Sequence, residues 1–199
     1  MSSSSRLPPL PDDAAFRDAM DRYLDLAFDW NRRFRLTGFR DRDQALRMGI
    51  RPSLAALDHL PAEGDLLDAG SGAGFPLVPL AFLRPELRWT ASEPSPRKAL
   101  FLRETARALS LSIAVLERPV ADLLRDPAMR WQGITVRGLR LRRGWIRAAA
   151  RSLSPSGVLL LWTGEEAADG YAPWIQAEGF ALLRIPMGKG NPLLLAANR

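Results

Sequence analysis

The chain contains no cysteine. Disulfides, thiolate metal sites and cysteine nucleophiles are therefore excluded. Its single histidine, His59, rules out a histidine-rich metal cluster and reads as a surface residue near a helix end. No metal site is expected. No apolar run approaches the ~20 residues that a membrane-spanning helix needs, so no membrane partner is expected. Met1–Pro11 is rich in serine and proline and has no apolar signal core. It reads as a disordered tail on a cytoplasmic protein. Lysine is nearly missing: of 28 basic residues only Lys98 and Lys189 are lysine. The excess positive charge, +6 overall, is thus carried by arginine. The guanidinium matches phosphate bidentately and stacks on bases, which points to a nucleic-acid partner. A GC-rich coding sequence would enrich arginine in the same way.

What the chain does have is the composition of a soluble globular protein, 47% hydrophobic and 25% charged over 199 residues. That length suits one domain with a sizeable core and a small N-terminal addition. The organising stretch is Leu66-Leu67-Asp68-Ala69-Gly70-Ser71-Gly72-Ala73-Gly74-Phe75-Pro76. An apolar pair ends in an acid, three glycines follow at alternate positions, and a helical pattern comes next. This reads as a strand, a tight turn and a helix whose free N–H groups face a ligand. The dinucleotide fingerprint is G-x-G-x-x-G, whereas Gly70, Gly72 and Gly74 are one residue tighter. That spacing argues against a nicotinamide oxidoreductase, as does the lack of a separate histidine or tyrosine constellation. A second strand over 87–93 ends in Glu93, 19 residues after Gly74. An acid at that place can accept both ribose hydroxyls of a nucleoside.

Helical spacing of Phe16, Met20, Tyr23, Leu24, Ala27 and Phe28 predicts a helix opened by Asp12 or Asp13. A second helix is predicted over 44–60, broken or kinked at Pro52. Further helices are expected over 77–83, 95–109, 141–153 and 165–177, with a short helical turn at 120–124. Strands are expected over 112–116, 133–136, 157–162, 180–185 and 192–197. This alternation predicts a three-layer α/β/α fold, Rossmann-like, with a mostly parallel sheet and an antiparallel last strand.

These residues resemble the small-subunit ribosomal RNA guanine-N7 methyltransferases, also called glucose-inhibited division protein B. The similarity runs from about Tyr23 to Asn198. Its most specific pieces are the stretch from Asp68 to Pro76 with Pro79-Leu80, and Arg97-Lys98 with Phe101-Leu102-Arg103. Trp30-Asn31 with Leu36-Thr37 matches the family's N-terminal signature. The resemblance implies a class I S-adenosylmethionine-dependent methyltransferase domain over 63–199, preceded by the tail at 1–11 and a helical extension at 12–62. It implies S-adenosylmethionine as cofactor, and ribosomal RNA or the small ribosomal subunit as partner. The matching cofactor positions are Gly70, Gly72, Gly74, Phe75, Glu93, Val120, Ala121 and Arg137. Several positions depart from the family pattern: Arg35, Gly49, Pro52, Ala121, Val136, Gly138 and Thr163. Guanine N7 carries a free lone pair, so methylation needs no prior proton removal. No general base is expected, and no catalytic residue is assigned. Rate would come from positioning and electrostatics. A protein that binds cofactor or RNA without methyl transfer is the alternative.

Arg137, Arg140, Arg142, Arg143, Arg147 and Arg151 fall within 15 residues that contain no acid. On a helix, Arg143, Arg147 and Arg151 share one face. Arg143 and Arg147 on this face, with Arg140, Arg32, Arg33 and Arg35, are the expected RNA contact. Trp145 among them reads as core packing. Nothing in the sequence demands more than a monomer.

Overall fold

The computed structural model describes residues 7–188 and 192–198. Residues 1–6 of the expected tail lie outside the described residues. Leu7–Pro11 is held rather than free: Leu7 and Leu10 pack on the core, and the Arg51 guanidinium donates to the carbonyls of Pro8 and Leu7.

Seven strands form one sheet: β1 (Asp65–Ala69), β2 (Arg88–Ser92), β3 (Ile113–Leu116), β4 (Trp131–Arg137), β5 (Leu153–Thr163), β6 (Ala181–Ile185) and β7 (Leu193–Asn198). Their order is β3-β2-β1-β4-β5-β7-β6. The first five are parallel, and β7 inserts antiparallel to both β5 and β6. The expected architecture and its antiparallel last strand are both present. The chain order reverses at β1, whose neighbours are β2 and β4. Ligand crevices open at such switch points, beyond the carboxyl ends of the strands.

Alternation along the strands sorts the side chains into two cores. Leu66, Leu160 and Trp162 enter the first, while Leu67, Leu159 and Leu161 enter the second. The first face carries α1 (Ala14–Asn31), which buries Phe16, Met20, Tyr23, Leu24 and Ala27. It also carries α4 (Leu77–Leu83) and α5 (Pro96–Ala108). The N-cap of α1 is Asp13, whose carboxylate accepts from the Ala15 N–H. The second face carries α6 (Val120–Arg125), α7 (Arg143–Ser152) and α8 (Glu165–Gln176).

The predicted helix over 44–60 is replaced by shorter pieces. α2 (Arg42–Ala45) runs into a π-helical turn (Leu46–Ile50), then α3 (Arg51–Leu54) and a 3₁₀ turn at Leu57–His59. Pro52 explains the widening. It has no N–H for the Met48 carbonyl, and its ring crowds that carbonyl in an α-helix. The wider turn leaves the Met48 carbonyl free to face the sheet beside the Gly49 carbonyl, which accepts the Ser53 hydroxyl at 2.7 Å. Trp162 on β5 fastens this segment by donating from Nε1 to the Pro52 carbonyl at 2.7 Å, in a buried position. Trp162→Phe keeps most of the ring volume but removes that bond, leaving the carbonyl only the Ala55 N–H at 3.3 Å. We expect a loss of about 1 kcal/mol, read as a lower urea midpoint with unchanged slope. An unchanged midpoint would refute the fastening role.

Candidate functional site

The crevice forms where β1 and β4 part. After β1 the chain turns at Gly70, Gly72 and Gly74, all with positive φ. Gly74 is the most constrained. Its φ is +91°, and a Cβ there would stand 2.7 Å from Val78 Cγ2 and 3.2 Å from the Tyr23 hydroxyl. The turn is bonded to β2 at its base, where the Gly70 and Ser71 N–H groups donate to the Ser92 carbonyl at 2.9 and 3.2 Å.

Glu93 follows directly after β2 and is 5% exposed. Its Oε2 accepts from the Gly72 N–H and its Oε1 from the Ser95 N–H, each at 2.9 Å. Each carboxylate oxygen keeps a further acceptor site. The acid expected for ribose hydroxyls therefore also holds the glycine turn. The segment carrying Val120 and Ala121 is brought alongside by the Ser92 hydroxyl, which donates to the Arg118 carbonyl at 2.7 Å. Ala121 itself faces α7, lining a hollow with Arg140, Arg142 and Trp145.

The helical extension closes the crevice from the first face. Tyr23 donates to the Ala73 carbonyl at 2.5 Å, and burial pushes its phenol pKa up, so the donor proton is retained. The Phe75 ring sits between Tyr23 and Phe39, 5.3 Å from each ring centroid. Gly49 makes room for it, because a Cβ there would lie 2.7 Å from Phe75 Cε1. Arg137, at the end of β4, donates to the Met48 carbonyl that the π turn leaves open and to the Gly49 carbonyl, which it shares with the Ser53 hydroxyl. Burial lowers its pKa to about 10, so it remains charged at neutral pH. Leu139 lies over the turn, with side-chain carbons 3.0 Å from where a Gly70 Cβ would stand.

Asp68 is the feature that motif reading passed over. It ends the apolar run of β1 and pairs in register with Thr135 on β4. The Thr135 hydroxyl donates to Asp68 Oδ1 at 2.6 Å, while Oδ2 is buried without a partner. Burial raises this carboxyl to about 6. A perturbed acid at a switch point marks a functional crevice. Its sequence signal was present as the acid closing the strand before the glycines.

The six arginines expected to meet RNA do not form one surface. Arg32, Arg33 and Arg35 follow α1 on the first face, where Arg97 lies 6.0 Å from the Phe34 ring centroid. Arg140 precedes α7 on the second face, while Arg143 and Arg147 lie on it. Arg147 is also engaged, donating to Glu178 at 3.3 Å. Alternation of the strand side chains places these groups on opposite sides of the sheet, which helical spacing alone does not reveal.

Comparison with known proteins then decides the family. The model of the rRNA small subunit methyltransferase G family matches residues 17–180. The chain belongs to this family. The ribosomal RNA small subunit methyltransferase G of Xanthomonas euvesicatoria is 37% identical over 191 residues, covering 94% of this chain and 89% of its own. That of Stenotrophomonas maltophilia is 37% identical over 166 residues, covering 81% and 77%. Among solved structures, the Thermus thermophilus 16S rRNA N2 G1207 methyltransferase, in complex with AdoMet and guanosine, has a TM-score of 0.62 at 23% identity. It covers 82% of this chain and 44% of its own. The ribosomal protein L11 methylase of Lactobacillus delbrueckii gives 0.61 at 18% identity, covering 81% and 80%. At these identities the two structures establish the fold alone. Among the described residues, no helix of this methyltransferase G family member is long and apolar enough to cross a membrane.

The buried acid yields a pH prediction. Its folded pKa of about 6 lies above the ordinary aspartate value of 3.8, so the folded state binds the extra proton between these values. Stability from this group is therefore lost as pH rises from about 4 to 6. Asp68→Asn keeps an acceptor for Thr135 and removes the titration. Relative to the native chain, the variant should gain up to about 3 kcal/mol between pH 4 and pH 8. Urea titrations of both proteins at the two pH values check this. A constant difference would show that Asp68 ionises normally.

Proposed function

We propose that this chain transfers a methyl group from S-adenosylmethionine to small-subunit ribosomal RNA, at guanine N7. The single observation that carries the reading is the cradle at the switch point, in a chain of the methyltransferase G family. Gly70, Gly72 and Gly74 bring bare backbone to the crevice, and the buried Glu93 carboxylate stands beside it. The glycine N–H groups are taken by Ser92, Glu93 and Ser71, so the Glu93 acceptors and the close backbone surface are what fit a nucleoside cofactor. Glu93 would take the ribose hydroxyls with its remaining acceptor sites. Val120 would flank the adenine, with Ala121 turned away toward α7, while Phe75 and Arg137 would border the rest of the pocket. The buried, unpartnered Oδ2 of Asp68 is an acceptor suited to a cationic group.

S-adenosylmethionine supplies an electrophilic methyl group on a sulfonium sulfur. Guanine N7 offers its lone pair with no proton to remove, so the chain's own work is alignment and exclusion of water. Tyr23 and Arg137 suit that task, since each ties the helical extension to the crevice. A retained positive charge on Arg137 favours an anionic partner. Arg140 and Arg143 on one face, with Arg32, Arg33 and Arg35 on the other, are candidates for phosphate contacts at the crevice rim. Arg147 is the candidate further along α7.

Calorimetric titration with S-adenosylmethionine should show one saturable site. A Glu93→Ala, Gly70→Asp double variant should lose it, while retaining a cooperative unfolding transition. Incubation of the native chain with small-subunit ribosomal RNA should yield 7-methylguanosine on digestion. Saturable binding with no methylated nucleoside, on either free RNA or assembled subunits, would replace this reading with one of binding alone.

A further inference from the structure

The second face carries a groove that the methyl-transfer crevice does not use. It lies between α6 and α7, as two adjoining hollows of about 400 and 390 Å³. The upper one, near the crevice, is lined by Ala121, Arg140, Arg142 and Trp145. The lower one is bordered by Arg125, Arg130, Arg147 and Arg151. Gly144 and Ala148, one turn apart on α7, line both hollows. Small residues at this spacing leave a channel along the helix. A Cβ at Gly144 would meet nothing within 4 Å.

The charges here lie close together along one groove. Several arginines elsewhere pair with acids: Arg42 with Asp21 and Asp25, Arg88 with Asp65, Arg103 with Glu117 and Arg184 with Asp169. Along the groove, Arg125, Arg130, Arg140, Arg142 and Arg151 are exposed, and no ion pair joins them to an acid among the described residues. Arg130 spends one nitrogen on the Pro127 and Met129 carbonyls. The one carboxylate in the wall, Asp126, accepts the Ala128 N–H to cap its own turn. The Trp145 indole N–H has no acceptor. The groove thus offers donors and unneutralised charge along a helix ~15 Å long. Unpaired like charges repel, so such a row is favourable only when an anion lies across it.

We propose that the α6–α7 groove is a docking channel for RNA backbone phosphates, separate from the methyl-transfer crevice. It takes the strand leading away from the target base. Arg142 stands at the upper hollow, while Arg130 and Arg151 flank Trp131 and Leu153, which pair at the opposite edge of the sheet. The channel therefore leads from the crevice rim to the far side of the molecule. A duplex or structured RNA held along it is fixed in direction as well as position. Such contacts set register without reading sequence. This inference rests on the reading of the chain as an enzyme of ribosomal RNA.

The test compares the native chain with an Arg125→Gln, Arg130→Gln, Arg151→Gln triple variant and with Arg130→Glu alone. None of these residues belongs to the cofactor pocket, so calorimetric affinity for S-adenosylmethionine should not change and reports that the fold is intact. The probe is small-subunit ribosomal RNA. The triple variant should raise KM for this RNA at least about tenfold, with kcat unchanged at saturation. The slope of log affinity against log salt should flatten by about 2, since every phosphate left without its arginine removes somewhat under one unit. Arg130→Glu should move KM and slope in the same direction. Native methylation and native salt slope in both variants would overturn the channel and leave the functional reading standing. Failure of the native chain itself to bind or methylate this RNA would overturn both.

Discussion

The crevice depends on the Glu93 carboxylate. A charge that is 5% exposed would be costly to bury alone, yet it receives backbone N–H groups from Gly72 and Ser95. Those two bonds join the glycine turn after β1 to the start of α5. They fix the distance between two loops that come from different crossover units. The turn needs such an anchor, because left-handed glycines have many alternative conformations in the unfolded chain. One side chain therefore sets the shape of the turn.

A second set of bonds makes the helical extension part of the same machine. Pro52 cannot satisfy the Met48 carbonyl, so the helix widens, and Arg137 takes up that carbonyl and shares the Gly49 carbonyl with Ser53. Tyr23 reaches the turn from α1, and Trp162 reaches Pro52 from β5. Each is a polar group buried against a matching partner, as the core requires. Asp68 breaks the pattern with an orphaned oxygen. That exception lies at the switch point, next to the glycine turn.

Charge is distributed by the same logic. Several exposed arginines outside the second face sit near carboxylates, in pairs that add little stability singly. Along α6 and α7 the arginines outnumber the acids, Asp122 on α6 and Asp126 at its end, and the field of the unpaired guanidiniums extends about a Debye length into solution. A polyanion approaching this methyltransferase G family member would feel that field.

Neighbouring residues are enough to specify the strand–turn–helix unit, the position of Glu93 and the order of helices and strands. The causes are glycine sterics at Gly70, Gly72 and Gly74, and the two periods of apolar side chains. Even the disturbance at Pro52 was legible, though not its form as a π turn. Only the folded chain reveals that Arg137 grips the extension, that Asp68 is buried with one oxygen free, and that Arg32 and Arg143 stand on opposite faces. Folding also brings Arg125 and Arg130 beside Arg151. Each of these depends on sheet register and crossover path between segments about 20 to 110 residues apart. No local propensity encodes such pairings, because they exist only once both faces of the sheet are covered.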